Sequence, residues 1–311
     1  MIRAVSVRRL NAAYRGLAAD ESFLELAQEH FLDWLRHEGL TEGLVFKGGT
    51  SLRKFVFGLA GRFSRDLDFT VSDRAIGELV IDALSAGFRH EGVTFHGLEI
   101  DRESMKAAWQ AETTDLGRGR LACRLDFSTR SLMLPPVARP RSALPGVSAA
   151  DLGFSPLLVP LADLRETMAE KLARLRRVLF ARDVYDVGHL IPLVRADTPL
   201  VRELLIYKVY FDVVDDGRGG APFRLGVEYR GHRRAEIRGV DELGSTTQPV
   251  FDYPATLRLI EDTYGGLSLS ADEREQVLVR CGPGDRYRAL QWVNEFREGH
   301  TSPARGGMGL G

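Results

Sequence analysis

The 311-residue chain has only two cysteines, Cys123 and Cys281, and they lie far apart in the sequence. Two isolated cysteines make neither a disulfide framework nor a cysteine-based zinc site, which fits a reducing compartment. No apolar run approaches the roughly 18 residues that a membrane-spanning helix needs. We therefore expect a cytoplasmic protein with no membrane partner.

An excess of charge of either sign is also missing. Lysine and arginine number 42 against 43 acidic residues, a net charge of −1, so the chain as a whole has no attraction for nucleic acid and any basic surface must be local. The sequence contains no H-E-x-x-H array and no G-x-S-x-G, which leaves zinc-enzyme and hydrolase functions with little support.

The length and pattern of the chain predict two domains. The hydrophobic periodicity of 1–155 mixes helices and strands, whereas that of 156–311 is mainly helical. The tail from about 300 to 311 is predicted to be disordered. We therefore predict an α/β (α+β) domain with a mixed sheet over 1–155, followed by a mainly helical domain over 156–311. A cluster of prolines marks the change in composition: Pro135, Pro136, Pro140, Pro145, Pro156 and Pro160.

A short apolar strand over Leu44–Phe46 runs into two glycines and then a predicted helix. Glycines at such a turn let the backbone approach an anion closely, and the following helix adds its dipole. A plain tight turn is the alternative explanation, because the spacing is not that of a P-loop. The groups that the turn would offer to a phosphate are Lys47, Gly48, Gly49, Thr50 and Ser51.

Asp66 and Asp68 alternate on the next predicted strand, so both carboxylates point to one face. They repel each other unless a cation neutralises them, and paired carboxylates suit Mg²⁺ or Mn²⁺. A solvated strand face, paired with Arg62 or Arg65, is the alternative. Asp126 lies on the polar face of a later strand whose other face carries Leu121, Cys123, Leu125 and Phe127. It is a candidate third carboxylate, and an ordinary exposed aspartate is the alternative.

Four motifs together resemble the AbiEii/AbiGii toxin family of the DNA polymerase β-like nucleotidyltransferase superfamily. The matching residues are Gly48, Gly49, Thr50 and Leu52; Ser64, Asp66 and Asp68; Ala169, Glu170 and Lys171; and Arg182, Asp183, Tyr185 and Asp186. Val187 stands where the family pattern has leucine. The motifs cover residues 47 to 190, and their order is more specific than any one of them.

The resemblance implies a toxin of a toxin–antitoxin or abortive-infection system that moves a nucleotide from a nucleoside triphosphate to RNA. The tRNA 3′ end is the expected acceptor, and a cognate antitoxin or its regulatory product is the expected partner. Asp66, Asp68 and Asp126 would hold metal. Lys171 would contact the triphosphate, Asp186 would orient Lys171 or contact the base, and Ser64 would cap the turn or bind a phosphate.

RNA binding would need basic surface on an otherwise neutral chain. Two groups of arginines offer it: Arg174, Arg176 and Arg177, and Arg230, Arg233 and Arg234. Such residues bind phosphates without reading sequence. A solvated surface is the alternative for both groups and explains the second equally well, whereas the position of the first, close to the predicted site residue Lys171, favours contact with the substrate. A nucleotidyltransferase acting on a protein or a small molecule, and a non-catalytic regulator that binds nucleotide or a partner, remain alternatives.

Overall fold

The computed structural model describes residues 1–14, 17–130, 132–155, 157–210, 237–239, 251–271, 273 and 295. These residues form two compact units. The first contains the described residues up to 130 and those from 136 to 162, together with 239 and 251. The second contains residues 132–135, 163–210, 237 and 238, and the described residues from 252 onward.

The first unit is built around a mixed sheet to which nine strands belong among the described residues. The strands are β1 (Leu44–Lys47), β2 (Asp66–Val71), β3 (Phe88–His90), β4 (Val93–Asp101), β5 (Lys106–Thr113), β6 (Gly117–Arg118), β7 (Cys123–Ser128), β8 (Val137–Pro140) and β9 (Leu158–Leu161). Their order across the sheet is β3-β4-β5-β7-β2-β1-β9-β8, and β6 pairs with β5. The pairs β1–β9 and β2–β7 are parallel and the rest antiparallel, so the predicted mixed sheet is confirmed.

Helices of the first unit surround this sheet and connect its strands. They are α1 (Ala4–Ala13), α2 (Ala19–His37), α3 (Gly48–Leu52), α4 (Arg74–Ala86) and α5 (Ala149–Leu152). Every residue of α2 from Ser22 to Leu35 is buried, so α2 is a central helix of this unit. The helix predicted after the glycines begins at Gly48 itself and changes at Arg53 into one π-helical turn, Arg53–Phe57.

An aromatic ladder fixes the register of the three central strands. Phe46, Phe69 and Phe127 lie at paired positions on β1, β2 and β7. The ring centroids of Phe46 and Phe69 are 4.9 Å apart, and those of Phe69 and Phe127 are 5.8 Å apart. Because a slip of one residue would turn these rings to the other face, their burial holds the polar residues beside them in place.

The proline-rich segment belongs to the first unit beyond residue 155, as far as Ala162. Strand β9 lies at 158–161, pairs in parallel with β1 through Phe46 and Leu161, and pairs with β8. The amide of Ala162 donates to the carbonyl of Phe46 at 3.1 Å. The contacts of the chain therefore keep residues up to Ala162 in the unit that holds the sheet.

The described part of the second unit is mainly helical. It contains α6 (Leu164–Leu175), α7 (Ala181–Val194), α8 (Thr198–Tyr210) and α9 (Tyr253–Tyr264). Asp163 caps α6 by accepting the Arg165 amide at 2.8 Å. The Glu166 carboxylate accepts the amides of Met133 and Leu134, which ties residues 132–135 to this unit. The tail from about 300 to 311, which we predicted to be disordered, lies outside the described residues.

Candidate active site

The predicted carboxylates share one face of the central strands. Asp68 of β2 lies opposite Asp126 of β7 in the parallel pair and opposite Lys47 of β1 in the antiparallel pair. Asp66 is two residues before Asp68 and therefore points to the same side. All four residues are partly exposed, whereas Leu67, Phe69, Leu125 and Phe127, which alternate with them, are buried. The alternation read from the sequence thus brings Asp126 beside the strand of Asp66 and Asp68.

The glycine turn is fitted to one of these carboxylates. Gly48 has a φ of +81°, a conformation that L residues rarely adopt. A Cβ at Gly48 would lie 2.2 Å from the Asp68 Oδ2 atom. Gly48 is therefore required twice, by its backbone conformation and by the close approach of the Asp68 carboxylate to the turn.

The hydroxyl groups near the turn donate to backbone carbonyls. Thr50 is fully buried and its Oγ1 donates to the carbonyl of Asp66, which joins α3 to the start of β2. Ser51 Oγ donates to the Gly48 carbonyl at 2.9 Å, within the first turn of α3. Ser64 is buried, and its carbonyl accepts the Gln28 side-chain amide at 3.2 Å. In this structure Thr50 and Ser51 hold the turn and the carboxylate strand together.

Asp126 has a partner that the sequence did not indicate. Lys106 of β5 lies opposite Asp126, and the Lys106 Nζ is 3.4 Å from the Asp126 Oδ2. Both side chains are about half exposed. Among the described residues no three His, Cys, Asp or Glu side chains gather closely enough to hold one metal ion. The row of charges on this face therefore runs Lys106, Asp126, Asp68 and Lys47 across four neighbouring strands.

A buried ion cluster follows directly after the glycine turn in the chain. Lys54 Nζ donates to Glu25 Oε1 at 2.8 Å and to Glu29 Oε1 at 2.7 Å. Arg53 Nε donates to Glu25 Oε2 at 2.9 Å, and Arg141 Nε donates to Glu29 Oε1 at 2.8 Å. All five side chains are at most 6% exposed. We call these residues the Lys54 cluster; three cations in it face two carboxylates.

The cations of the Lys54 cluster control the charge state of Glu25. Burial alone would raise the pKa of Glu25, but Arg53, Lys54 and Arg141 together outweigh it and hold the pKa well below the ordinary value for glutamate. Burial lowers the pKa of Arg141, and Glu29 and Glu25 reverse this, so the net shift is upward. Both shifts favour the charged forms of Glu25 and Arg141. It packs against Tyr14, whose ring lies 4.5 Å from the Arg53 guanidinium carbon.

Sequence reasoning missed the Lys54 cluster, although Arg53 and Lys54 stand inside the glycine motif. One signal was available, because a basic pair between the apolar residues Leu52 and Phe55 is unusual unless acids meet it. Glu25 and Glu29 are spaced by four on α2, which places them on one side of the helix. No local pattern indicates Arg141, which lies 112 residues from Glu29 along the chain.

The second unit contains the other predicted residues. Lys171 of α6 is 4% exposed; its Nζ lies 2.8 Å from Asp186 Oδ2 and 3.2 Å from Asp183 Oδ1, and both carboxylates belong to α7. The alternative that Asp186 contacts Lys171 agrees with this geometry. Asp183 was missed as a partner of the lysine, although its spacing of three from Asp186 puts both on one side of α7. Arg174, 37% exposed, reaches the other oxygen of Asp183 at 3.5 Å.

The two predicted basic groups differ in what the structure describes. Arg174, Arg176 and Arg177 lie at the end of α6 or just after it, and all three are partly exposed. Arg230, Arg233 and Arg234 lie outside the described residues. RNA binding by either group stays a prediction.

Two comparisons with known proteins found matches to this chain. The sequence profile of a family described as nucleotidyl transferase AbiEii toxin, type IV toxin–antitoxin system, matches residues 30–279. A solved structure of MenT4, a nucleotidyltransferase toxin from Mycobacterium tuberculosis H37Rv, is similar with a TM-score of 0.79 and 32% identity. The alignment covers 97% of this chain and 100% of that one. No sequence among curated proteins matches the chain.

These matches span most of the chain and include all four motifs that carried the resemblance. A toxin of a type IV system acts with a cognate antitoxin, and nucleotidyltransferases of this kind generally use a nucleoside triphosphate and a divalent metal. No helix in the described part of the chain is long and apolar enough to cross a membrane. The chain belongs to the AbiEii family of nucleotidyltransferase toxins of type IV toxin–antitoxin systems.

Proposed function

We propose that this enzyme transfers a nucleoside monophosphate from a nucleoside triphosphate to RNA, with the tRNA 3′ end as acceptor and Mg²⁺ or Mn²⁺ as cofactor. The observation that carries the proposal is the placement of the Asp68 carboxylate at Gly48. There, a Cβ added at Gly48 would lie 2.2 Å from Oδ2 of Asp68, so one carboxylate of the D-x-D pair lies beside the glycine turn. Metal and triphosphate would thus meet at one point of the sheet. Addition to the tRNA 3′ end would stop aminoacylation and hence translation, in the cytoplasm.

The donor set fits a hard divalent cation. Mg²⁺ takes one or two protein carboxylates and completes its shell with waters and substrate phosphates. Asp66 and Asp68 supply two carboxylates on one partly exposed face, and Asp126 lies on the neighbouring strand as the third candidate. When bound, the metal would neutralise charge on the triphosphate and lower the pKa of the attacking hydroxyl.

The reaction that we propose is a displacement at the α-phosphorus. The acceptor 3′ oxygen forms a bond to that phosphorus, the bond from it to the bridging oxygen breaks, and pyrophosphate leaves. Asp126 would take the proton of the attacking hydroxyl. Its carboxylate is half exposed and in register with Asp68, so an acceptor approaching this face could reach both. The protein mainly positions groups and stabilises charge.

The remaining predicted residues serve substrate binding in this proposal. Lys47 continues the row of Asp68 and Asp126 on β1 and would offset the charge of the triphosphate beside the glycine turn. Lys171 and Asp186 are assigned to the same reaction by the family motif. Arg174, Arg176 and Arg177 would bind the RNA backbone, and the antitoxin or its regulatory product would restrain the activity.

The test is a labelling experiment with the full chain. The protein is incubated with Mg²⁺, each α-³²P-labelled nucleoside triphosphate in turn, and total tRNA, and the products are separated on a denaturing gel. We expect label in tRNA with the wild type. Asp66→Ala and Asp68→Ala should lose it by at least 100-fold, and Asp126→Ala by at least 10-fold. Asp115→Ala, which changes an exposed aspartate between strands, is the matched control and should keep full activity.

Other outcomes would redirect the proposal. Label that enters protein or a small molecule from a cell extract, with the same dependence on Asp66, would keep the chemistry and change the acceptor. Normal labelling of tRNA by Asp66→Ala and Asp68→Ala would contradict the assigned site. Binding of nucleotide with no transfer to any acceptor would support a regulator instead of an enzyme.

A further inference from the structure

Gly49, the second glycine of the turn, leaves space for the side chain of Arg62, which has no role in the proposed function so far. Arg62 precedes β2 and is 7% exposed. A Cβ built on Gly49 would lie 2.2 Å from Arg62 Nη2, 3.0 Å from Cζ and 3.4 Å from Nη1. The guanidinium group of Arg62 therefore occupies the space that any other residue at position 49 would fill.

The backbone conformation does not require a glycine at position 49. Its φ lies outside the positive range that favours glycine, in contrast with the +81° of Gly48, so alanine could adopt the backbone conformation at position 49. The three nearest described heavy atoms to its Cβ position all belong to the Arg62 guanidinium. The two neighbouring glycines thus admit two different groups: Gly48 admits the Asp68 carboxylate and Gly49 admits the Arg62 guanidinium.

This arrangement places a cation beside the glycine turn, where we propose that metal and triphosphate meet. Arg62 Nη1 donates to the Phe63 carbonyl at 3.4 Å, next to Arg62 itself in the chain. Gly48, Gly49, Asp66 and Asp68 are only partly buried, so a ligand can reach the turn that the guanidinium contacts. A guanidinium group matches the oxygens of a phosphate in two parallel hydrogen bonds, which a lysine cannot do.

We propose that Arg62 binds the phosphates of the nucleoside triphosphate and that Gly49 is a glycine in order to admit its guanidinium group. The inference rests on the proposed nucleotidyl transfer and adds a binding residue to it. It also reassigns Gly49: the glycine positions a cation, whereas a phosphate-binding glycine would itself approach the ligand with its backbone. Arg65, whose side chain is exposed three residues further on, has no such contact with the turn and serves as the matched control.

The test measures binding, not turnover. The four α,β-methylene nucleoside triphosphates are titrated in turn into the full chain with Mg²⁺ by calorimetry, and the one that binds the wild type is used throughout. Arg62→Ala should weaken its binding at least 10-fold, Arg62→Lys by a smaller factor, and Arg65→Ala by less than twofold. The corresponding nucleoside, which has no phosphates, should lose no affinity in Arg62→Ala.

A double variant tests whether Gly49 is needed to admit the Arg62 guanidinium group or to bring its own backbone close to the phosphate. Gly49→Ala should weaken triphosphate binding about as much as Arg62→Ala, because the added methyl group displaces the guanidinium. Adding Gly49→Ala to Arg62→Ala should then cost less than a further twofold. A further loss of 10-fold in that background would mean that the backbone of Gly49 itself approaches the phosphate, and would overturn the inference.

Circular dichroism melts of all variants show whether a substitution lowers the stability of the fold and not only the affinity for the triphosphate. If Arg62→Ala does not fold, Gly49→Ala and Arg62→Lys carry the test. A lower melting temperature with triphosphate affinity within twofold of the wild type would assign Arg62 a structural role only and contradict the inference. If the wild type itself binds none of the four analogues, the proposed function fails, and the inference fails with it.

Discussion

Lys54 in the first unit and Lys171 in the second are held in the same way, and the difference lies in their surroundings. Each is a buried lysine between two carboxylates of a single helix, Glu25 and Glu29 for Lys54, Asp183 and Asp186 for Lys171. Arg53 and Arg141 add two more buried cations around Lys54. Around Lys171 the additional cation is Arg174, which is 37% exposed.

The difference shows what each arrangement can do. In the Lys54 cluster the cations exceed the carboxylates and every group is removed from water, so the charges fix the π-helical turn after the glycines to α2. Around Lys171, within the described part of the chain, two carboxylates share one buried cation, and the partly exposed Arg174 contacts one of them. A buried charge without a partner is costly. The two clusters should therefore differ in how much stability they lose when one carboxylate is removed.

The largest expected effect comes from removing a carboxylate that several cations share. Glu25→Gln leaves Arg53, Lys54 and Arg141 with Glu29 alone, and we expect a loss of roughly 3–5 kcal/mol in the free energy of unfolding. Asp186→Asn leaves Lys171 and the partly exposed Arg174 with Asp183, so less charge is left unpaired in the interior, and it should cost about 1.5–3 kcal/mol, the value of one hydrogen bond to a charged group. Urea titration of both variants measures the difference.

Glu78→Gln is the control for this comparison. Glu78 is 47% exposed and pairs with Arg74 on the surface of α4, so its loss should cost less than about 1 kcal/mol. Equal costs for Glu25→Gln and Asp186→Asn would contradict the view that the two clusters differ in charge balance.

A second prediction separates stability from activity at Lys171. Lys171→Met leaves Asp183 and Asp186 buried beside each other, and we expect a loss of about 3 kcal/mol or more. In the double variant Lys171→Met with Asp186→Asn, the remaining Asp183 faces Arg174, so most of the stability should return. Transfer of labelled nucleotide should stay at least 100-fold below the wild type if Lys171 acts in the reaction.

The alternative outcome of that experiment is equally informative. A double variant that regains both stability and activity would show that Lys171 and Asp186 hold α6 and α7 together and take no part in transfer. Lys171 would then resemble Lys54 in role as well as in geometry.

The third prediction concerns His30, a buried base that, unlike the two lysines, has no hydrogen-bonding partner among the described residues. Burial lowers the pKa of His30 to about 3, and the positive N-terminus and His90 add to the shift. Among the described residues no group hydrogen-bonds to either ring nitrogen. The unfolded chain binds this proton near pH 6.5 and the folded chain only near pH 3, so stability is full above pH 6.5 and falls as the pH drops toward 3.

The expected slope is about 1.4 kcal/mol per pH unit within that window. His30→Phe should remove the slope between pH 6.5 and about 4.5, above the range in which carboxylates titrate. Urea titrations at half-unit steps of pH measure it for both proteins. Below about pH 4 both should lose stability, because Glu25 and its low pKa remain in each. A variant with the wild-type slope would show that His30 is not the group responsible.

The parts of the site that the sequence predicted are those with a local pattern. Alternation predicted that Asp66 and Asp68 share one face of their strand and that Asp126 lies on the polar face of its own, because the other face of β2 and β7 had to be apolar. The register that puts Asp68 opposite Asp126 depends on packing of Phe69 against Phe127, and no local pattern contains it.

The parts that were missed depend on contacts far apart in the chain. Glu25 and Glu29 read as the polar residues of an amphipathic helix, but α2 is buried on all sides and they face cations 25 to 116 residues away. The strand at 158–161 stood in a proline-rich segment that suggested a linker, and only its pairing with β1 reveals it. Hydrophobic periodicity carries no information about such partners.

The smallest expected effect is at the exposed end of the charged row. Lys106 and Asp126 are 56% and 45% exposed, so their pair should contribute less than about 1 kcal/mol to stability. Lys106→Gln removes a cation beside a proposed metal ligand, and we expect the affinity for Mn²⁺ to rise by about two- to fivefold at low ionic strength. Titration of Mn²⁺, followed by electron paramagnetic resonance at low and high salt, measures this with no need for turnover.

Lys106→Arg keeps the charge and should leave the affinity unchanged, and added salt should reduce the effect of Lys106→Gln because it screens exposed charges. If Asp126 lies outside the metal site, Lys106→Gln will bind Mn²⁺ as the wild type does, and the third carboxylate must then be sought elsewhere on the sheet.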